Sequence, residues 1–203
     1  MTARAERRER TRRTLIAQSR RLFTSKGYAA VGLAEIVRES GVTKGALYHH
    51  FEGKADLFRA VLEEVQQEVA ARVAAAAEAA GDPWSQLKAG CAAFVSAGAD
   101  PEVQRIMLID GPAVLGWNEW RAIDEATSAR HLAEALTTLV EEGAIARQPV
   151  APLARLLSGA MNEAVLWLAQ SAGPDDLADT LAALSRLLES LRHPPTPSQG
   201  EAA

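Results

Sequence analysis

Residues 33–51 read Leu33-Ala34-Glu35-Ile36-Val37-Arg38-Glu39-Ser40, then Gly41-Val42-Thr43, then Lys44-Gly45-Ala46-Leu47-Tyr48-His49-His50-Phe51. Leu33, Ile36 and Val37 repeat at i, i+3 and i+4, the spacing of one helix face, and Gly41 ends that helix because glycine readily takes the conformation found after helix C-termini. Thr43 is a good N-cap for a second short helix through Ala46, Leu47 and Phe51. Two short helices about a tight turn make a helix-turn-helix, with Leu33, Ile36, Val37, Val42, Leu47 and Phe51 directed inward to lock it. Lys44, Gly45, Tyr48 and His49 are left on the outer surface of the second helix. Such a helix has the dimensions to enter the major groove of double-stranded DNA, and Gly45 lets its backbone come close.

The flanking segments continue the helical pattern. Upstream, Leu15, Ile16, Ser19, Leu22 and Phe23 follow helical spacing over Thr11–Lys26, and Gly27 stops the segment. Downstream, Lys54 opens a long helix with Leu57, Phe58, Val61, Leu62, Val65, Val69 and Val73 as its apolar stripe, closed by Gly81-Asp82-Pro83. Five more helical segments are expected at about 83–98, 101–113, 117–142, 150–171 and 174–192, punctuated by Pro83, Pro101, Gly111-Pro112, Gly143, Pro149 and Gly173-Pro174. Only 10 of 203 residues are aromatic and β-branched runs are nearly absent, which argues against a sandwich or barrel and for helices throughout. The expected fold is all-α with about nine helices. An N-terminal three-helix DNA-binding domain over 1–55 is followed by a larger helical ligand-binding and dimerisation domain over 56–192. The proline-containing stretch 193–203 is expected to be a disordered tail.

The net charge of −4 hides an asymmetry, because residues 1–59 carry 13 Lys and Arg against 6 Asp and Glu, whereas residues 60–203 carry 9 against 20. The two parts bear +7 and −11, as expected of a chain with one polyanion-binding end. Arg4, Arg7, Arg8, Arg10, Arg12 and Arg13 are either a solvated charge run or contacts to phosphates or a minor groove. A single cysteine, Cys91, allows no internal disulfide and no cysteine pair exists to hold zinc, so a reducing compartment is expected. No signal peptide or membrane span is legible, and a cytoplasmic protein without membrane, metal or cofactor is expected.

The run Gly27-Tyr28, Ile36-Val37, Ser40 to Phe51 and Gly53-Lys54-Ala55-Asp56-Leu57 resembles the N-terminal domain of the tetracycline-repressor (TetR) family of bacterial transcriptional regulators. The resemblance covers about residues 10–60. It implies that Lys44, Gly45 and Ala46 face base edges, that Tyr48 and His49 lie near bases or phosphates, and that Thr43 caps the helix while bonding a phosphate. It further implies backbone contact by His50 and a phosphate held by Lys54 together with the helix N–H groups behind it. Arg12 joins this set from the basic segment. Where family members commonly carry Ser or Thr, Gly32 stands here and offers no hydroxyl to a phosphate. The implied mechanism is a two-state homodimeric repressor on a palindromic operator, released by a small molecule bound among the later helices.

For that small molecule, large rings and a few polar groups form the candidate set: Trp84, Phe94, Met107, Asp110, Trp117, Trp120, Glu163 and Trp167. Each has a plainer reading as core, cap or internal ion pair. Glu163 stands out because it lies one turn before Trp167 on a mostly apolar helix, where an unpaired carboxylate is costly. For dimerisation, the helix with Leu157 and Met161 is apolar on most faces, and Leu177, Leu181, Leu184, Leu188 and Leu191 are spaced like a heptad seam. They cover one another within the chain or meet their copies across a two-fold axis. An enzyme is not expected, since no Glu-x-x-His pair is present and neither His131 nor Cys91 has an evident catalytic partner. A helix-turn-helix adaptor that binds protein instead of DNA is the remaining alternative.

Overall fold

The computed structural model describes residues 3–171 and 173–192, so the expected tail at 193–203 lies outside the described residues. The described chain is helical throughout, in eleven α-helices and one π-helical segment: α1 Ala3–Lys26, α2 Leu33–Ser40, α3 Lys44–His50, α4 Lys54–Glu78, α5 Pro83–Gly98, α6 Pro101–Val103, π1 Gln104–Asp110, α7 Gly111–Leu115, α8 Trp117–Glu125, α9 Ser128–Glu141, α10 Val150–Leu168 and α11 Asp176–Glu189. Among the described residues no helix is long and apolar enough to cross a membrane. Contacts divide the chain into two compact units, one of residues up to Val69 with Gly98–Thr127, the other of Ala70–Ala97 with residues from Ser128 onward. The division falls inside α4.

The first unit is built on α1. Leu15, Ile16, Ser19, Leu22 and Phe23 are its buried residues, the face that helical spacing predicts. Phe23, Tyr28 and Phe58 close into an aromatic triangle with centroid separations of 5.6, 5.4 and 5.2 Å. Each such pair adds about 1 kcal/mol beyond its buried area. Arg20 ties α1 to α4 and α6. Its guanidinium donates to both carboxylate oxygens of Glu68, at 2.6 and 2.8 Å, and through Nε to Glu102 at 2.7 Å. The Glu68 bonds, with Glu102, hold this arginine more firmly charged than usual.

Three element boundaries differ from expectation, each for a local reason. Helix α1 starts at Ala3, because 3–14 contains no glycine or proline, Arg13 pairs with Glu9 at 3.0 Å, and Thr11 and Thr14 bond back to the Arg7 and Arg10 carbonyls. The span expected at 117–142 breaks after Glu125. There the Thr127 N–H turns to the Asp124 carbonyl while its hydroxyl donates to Gln66 Oε1 at 2.7 Å. The Gly111-Pro112 pair, read as a stop, lies inside a helix instead. α6, π1 and α7 run on in right-handed conformation, with Asp100 capping the start.

Proline 112 explains the widened middle. It has no N–H with which to continue i→i−5 bonding to the Met107 carbonyl, and that carbonyl accepts from Trp120 Nε1 at 2.6 Å. Gly111 makes room, since a Cβ there would stand 2.8 Å from Trp120 Cδ1. Trp120 is thereby buried, with Trp117 tilted against it at 4.9 Å and largely exposed.

In the second unit α9 packs on α10, and α11 packs on α10. Trp84 at the start of α5 donates from Nε1 to Glu189 at 3.1 Å, Lys88 reaches the same carboxylate at 2.7 Å, and Arg192 lies over the Trp84 ring at 5.3 Å. The Lys88 bond, then the Trp84 bond, hold the Glu189 carboxyl below the usual carboxylate range. These contacts fasten the end of α11 to α5.

Candidate nucleic-acid interface

Helix α3 has seven residues and two apolar anchors. Leu47 is wholly buried and Phe51, the C-cap, is nearly so. Thr43 caps as its sequence position predicts, its hydroxyl accepting the Ala46 N–H at 3.1 Å. Gly41 takes φ +63° and its N–H reaches the Arg38 carbonyl, which fixes the turn between α2 and α3. Because Leu47 and Phe51 face the core, Lys44, Gly45, Tyr48 and His49 are left exposed, with Ala46 half-buried beside them. Lys44 Nζ lies 5.9 Å from the Tyr48 ring centroid. A cation and a phenol are displayed on a helix whose backbone is bare at Gly45.

His50 and Arg12 sit at the C-terminal end of α3. The His49 and His50 rings stand 5.4 Å apart, and the Arg12 guanidinium lies 5.6 Å over the Phe51 ring. Burial, then repulsion from the His49 ring and from the Arg8 and Arg12 charges, push the His50 imidazole below its ordinary value against a smaller opposing pull from Glu9. Lys54, at the start of α4, is half-buried. Its ammonium donates to the Tyr28 and Val31 carbonyls, both at 2.9 Å, and stands 4.0 Å from the Tyr28 ring centroid. It clamps the α1–α2 turn, with one N–H of three left over. Asp110 holds the same turn from π1, accepting the Tyr28 N–H at 3.0 Å. Both contacts escape sequence reading, because their acceptor or donor is backbone and lies 26 and 82 residues away.

The eight candidate effector residues divide between the two units. Met107, Asp110, Trp117 and Trp120 belong to the first unit, and Trp84, Phe94, Glu163 and Trp167 to the second. Met107, Trp120, Trp84 and Phe94 are buried; Trp117, Glu163 and Trp167 are exposed. An open groove of the first unit, between α4 and α8, is lined by Arg59, Glu63, Gln67, Glu119, Ile123 and Thr127, none of them in that set. Gln66 lies buried next to it, with Nε2 lacking a hydrogen-bond partner. In the second unit Asn162 Oδ1 is likewise buried and unpartnered. No group of His, Cys, Asp or Glu among the described residues could hold a metal ion.

Of the candidate dimer residues, Leu157, Met161 and Leu188 are buried within the chain, while Leu177, Leu181 and Leu184 are half-buried. The exposed side of α10 carries Leu156, Gly159, Ala160, Glu163 and Trp167, and Leu156 and Trp167 are 73% and 51% exposed.

Residues 15–61 match the model of bacterial regulatory proteins of the tetR family, and residues 84–191 match that of the tetracyclin repressor-like C-terminal domain. A TetR-family transcriptional regulator from Pectobacterium atrosepticum is 35% identical, with a TM-score of 0.76 over 96% of this chain and 100% of that one. The transposon Tn10 TetC protein of Escherichia coli is 28% identical over 149 residues, 73% of this chain and 75% of that protein. The transcriptional regulator LmrA of Bacillus subtilis is 35% identical over 80 residues, 39% of this chain and 43% of that protein. One family model covers more than half of the chain, and a solved relative above 30% identity is spanned in full. The protein therefore belongs to the TetR family of bacterial transcriptional regulators, whose members are DNA-binding regulators and not enzymes.

Proposed function

We propose that the protein is a homodimeric repressor that presents α3 of each protomer to successive major grooves of a palindromic operator, roughly 34–36 Å apart. The observation that carries this reading is the exposed face of α3. Lys44, Tyr48 and His49 make no hydrogen bond or ion pair among the described residues, on a helix anchored by Leu47 and Phe51 alone. In this reading Lys44, Gly45 and Ala46 meet base edges, Thr43, Tyr48, His49 and His50 meet bases or phosphates, and the spare N–H of Lys54 faces a phosphate. Residues 1–55 serve the operator, and 56–192 serve a small, largely apolar effector and the dimer. Within the second unit, the buried and unpartnered amide oxygen of Asn162 on the mostly apolar helix α10 favours a ligand with a hydrogen-bond donor on an apolar body.

A second copy of the chain is the proposed cover for the Leu156 and Trp167 face of α10, where Gly159 and Ala160 permit close approach. Release works through α4. That helix starts at the Lys54 clamp and continues into the second unit, so a displacement of it reaches the α1–α2 turn. A coupling of about 1–3 kcal/mol between effector and operator is expected. The test is Lys44→Ala on an operator obtained by selection from random duplexes. Affinity is expected to fall about tenfold in a salt-matched shift assay, with the dimer intact by ultracentrifugation. Unchanged affinity would refute the assigned face.

A further inference from the structure

The arginines ahead of the helix-turn-helix are carried by a helix, and that gives them sides. Residues 3–10 of α1 are all exposed, so about two turns of helix, roughly 12 Å, overhang the packed part that begins near Leu15. Arg4, Arg8 and Arg12 are spaced four apart and share a face. It is the face that downstream is buried: Arg8 lies two turns before Leu15, and Arg12 two turns before Ser19. Glu6, Arg10 and Arg13 continue the opposite side, which Ala17 and Arg21 expose further along; Glu9, two turns before the buried Ile16, lies at the edge between the two sides, where Arg13 pairs with it. The core side of α1 thus turns from apolar to cationic where the core ends.

This cationic face looks toward the end of the reading helix. Arg12 stacks on Phe51, the C-cap of α3, and Arg8 and Arg12 both act electrostatically on His50, opposed by a smaller effect of Glu9. Arg4 and Arg8 make no hydrogen bond or ion pair among the described residues, so their guanidinium forks remain available for bidentate phosphate contact.

We infer that the overhanging end of α1 is a second nucleic-acid contact, in which Arg4 and Arg8 grip backbone phosphates flanking the base pairs read by α3, while Arg10 and Arg13 take no part. The inference rests on the DNA-binding reading above, and it distinguishes arginines that composition alone cannot. The test compares two double variants of the full-length dimer, each losing two positive charges: Arg4→Ala/Arg8→Ala and Arg10→Ala/Arg13→Ala. Operator affinity is followed from about 50 to 200 mM salt, where each phosphate contact contributes about 0.9 to the log–log slope. Arg4→Ala/Arg8→Ala is expected to flatten the slope by about 1.8, and Arg10→Ala/Arg13→Ala to match the parent. Alanine sustains the helix and all four positions are exposed, so circular dichroism should show unchanged helicity. Equal flattening by both pairs, or by neither, overturns the inference. Lys44→Ala in the same assay separates the failures. If it weakens binding while Arg4→Ala/Arg8→Ala does not, only the flanking contact is lost; if Lys44→Ala has no effect, the DNA-binding reading fails first.

Discussion

Helix α3 and the Trp120 lock use polar groups in opposite ways. In α3, Thr43 spends its hydroxyl on the cap, but Lys44, Tyr48 and His49 are exposed and make no hydrogen bond among the described residues. Around Trp120 the donors are consumed: Nε1 by the Met107 carbonyl, Arg121 Nη1 by Asp124 at 2.9 Å, and the Thr127 hydroxyl by Gln66. A side chain whose hydrogen bonds are made internally supports the fold; one whose bonds are unmade on an ordered helix is available for recognition. Residue type alone does not separate the two, as Lys44 and Lys54 show, and the difference can be measured.

The largest effect is expected at the lock. Trp120→Ala removes a fully packed ring and leaves the Met107 carbonyl unpaired, and should cost about 3–5 kcal/mol in denaturant unfolding. Gly111→Ala drives a Cβ against the same indole and should cost about 1–3 kcal/mol. Trp117→Ala, three residues from Trp120 but exposed, should cost about 1 kcal/mol or less. If Trp117→Ala proved as damaging as Trp120→Ala, the contrast between spent and displayed rings would collapse.

The two lysines come next. Lys54→Met retains the stem and deletes two charge-assisted bonds to the Tyr28 and Val31 carbonyls, so about 2 kcal/mol of stability should be lost. Lys44→Met should leave the unfolding midpoint unchanged and appear in operator affinity alone. Stability loss from Lys44→Met, or none from Lys54→Met, would reverse their assigned parts. Thr43→Ala is smaller, about 1 kcal/mol by loss of the cap, and should lower DNA affinity together with the stability of α3.

These residues also mark what was legible in the sequence. The α2–α3 motif was readable because its information is local: apolar spacing, a glycine and a cap within 19 residues give both the fold and the exposed face. The buried set of α1 follows from the same periodicity. Lys54 was legible as important and not as a clamp, since its partners are carbonyls of a distant turn. The π1 segment was hidden because Gly111-Pro112 reads as punctuation, and only the Trp120 indole, supplied from α8, makes the pair compatible with a helix. Leu157 and Leu156 adjoin in sequence, yet which of them is buried depends on where α9 packs, information that the helical period of α10 does not contain.

The smallest effect concerns pH, and its sign differs between folding and binding. Burial and repulsion from the His49 ring and from the Arg8 and Arg12 charges lower the pKa of His50 in the folded chain, so below about pH 6.5, where an unfolded histidine protonates, the unfolded state takes up the proton more readily. His50 is therefore expected to withdraw a little stability as pH falls through that value. A phosphate brought against the imidazole acts the other way, favouring the protonated ring and raising its pKa in the complex. Operator affinity should rise between pH 8 and pH 6 while unfolding stability declines slightly, and His50→Gln should remove both dependences. The arginine-lined side of α1 opposes protonation in the free protein, so Arg8→Ala should shift the binding transition toward higher pH. His49, exposed on the same helix, is the control: His49→Gln is expected to keep the transition, and if it abolished the pH dependence instead, the proton would belong to His49.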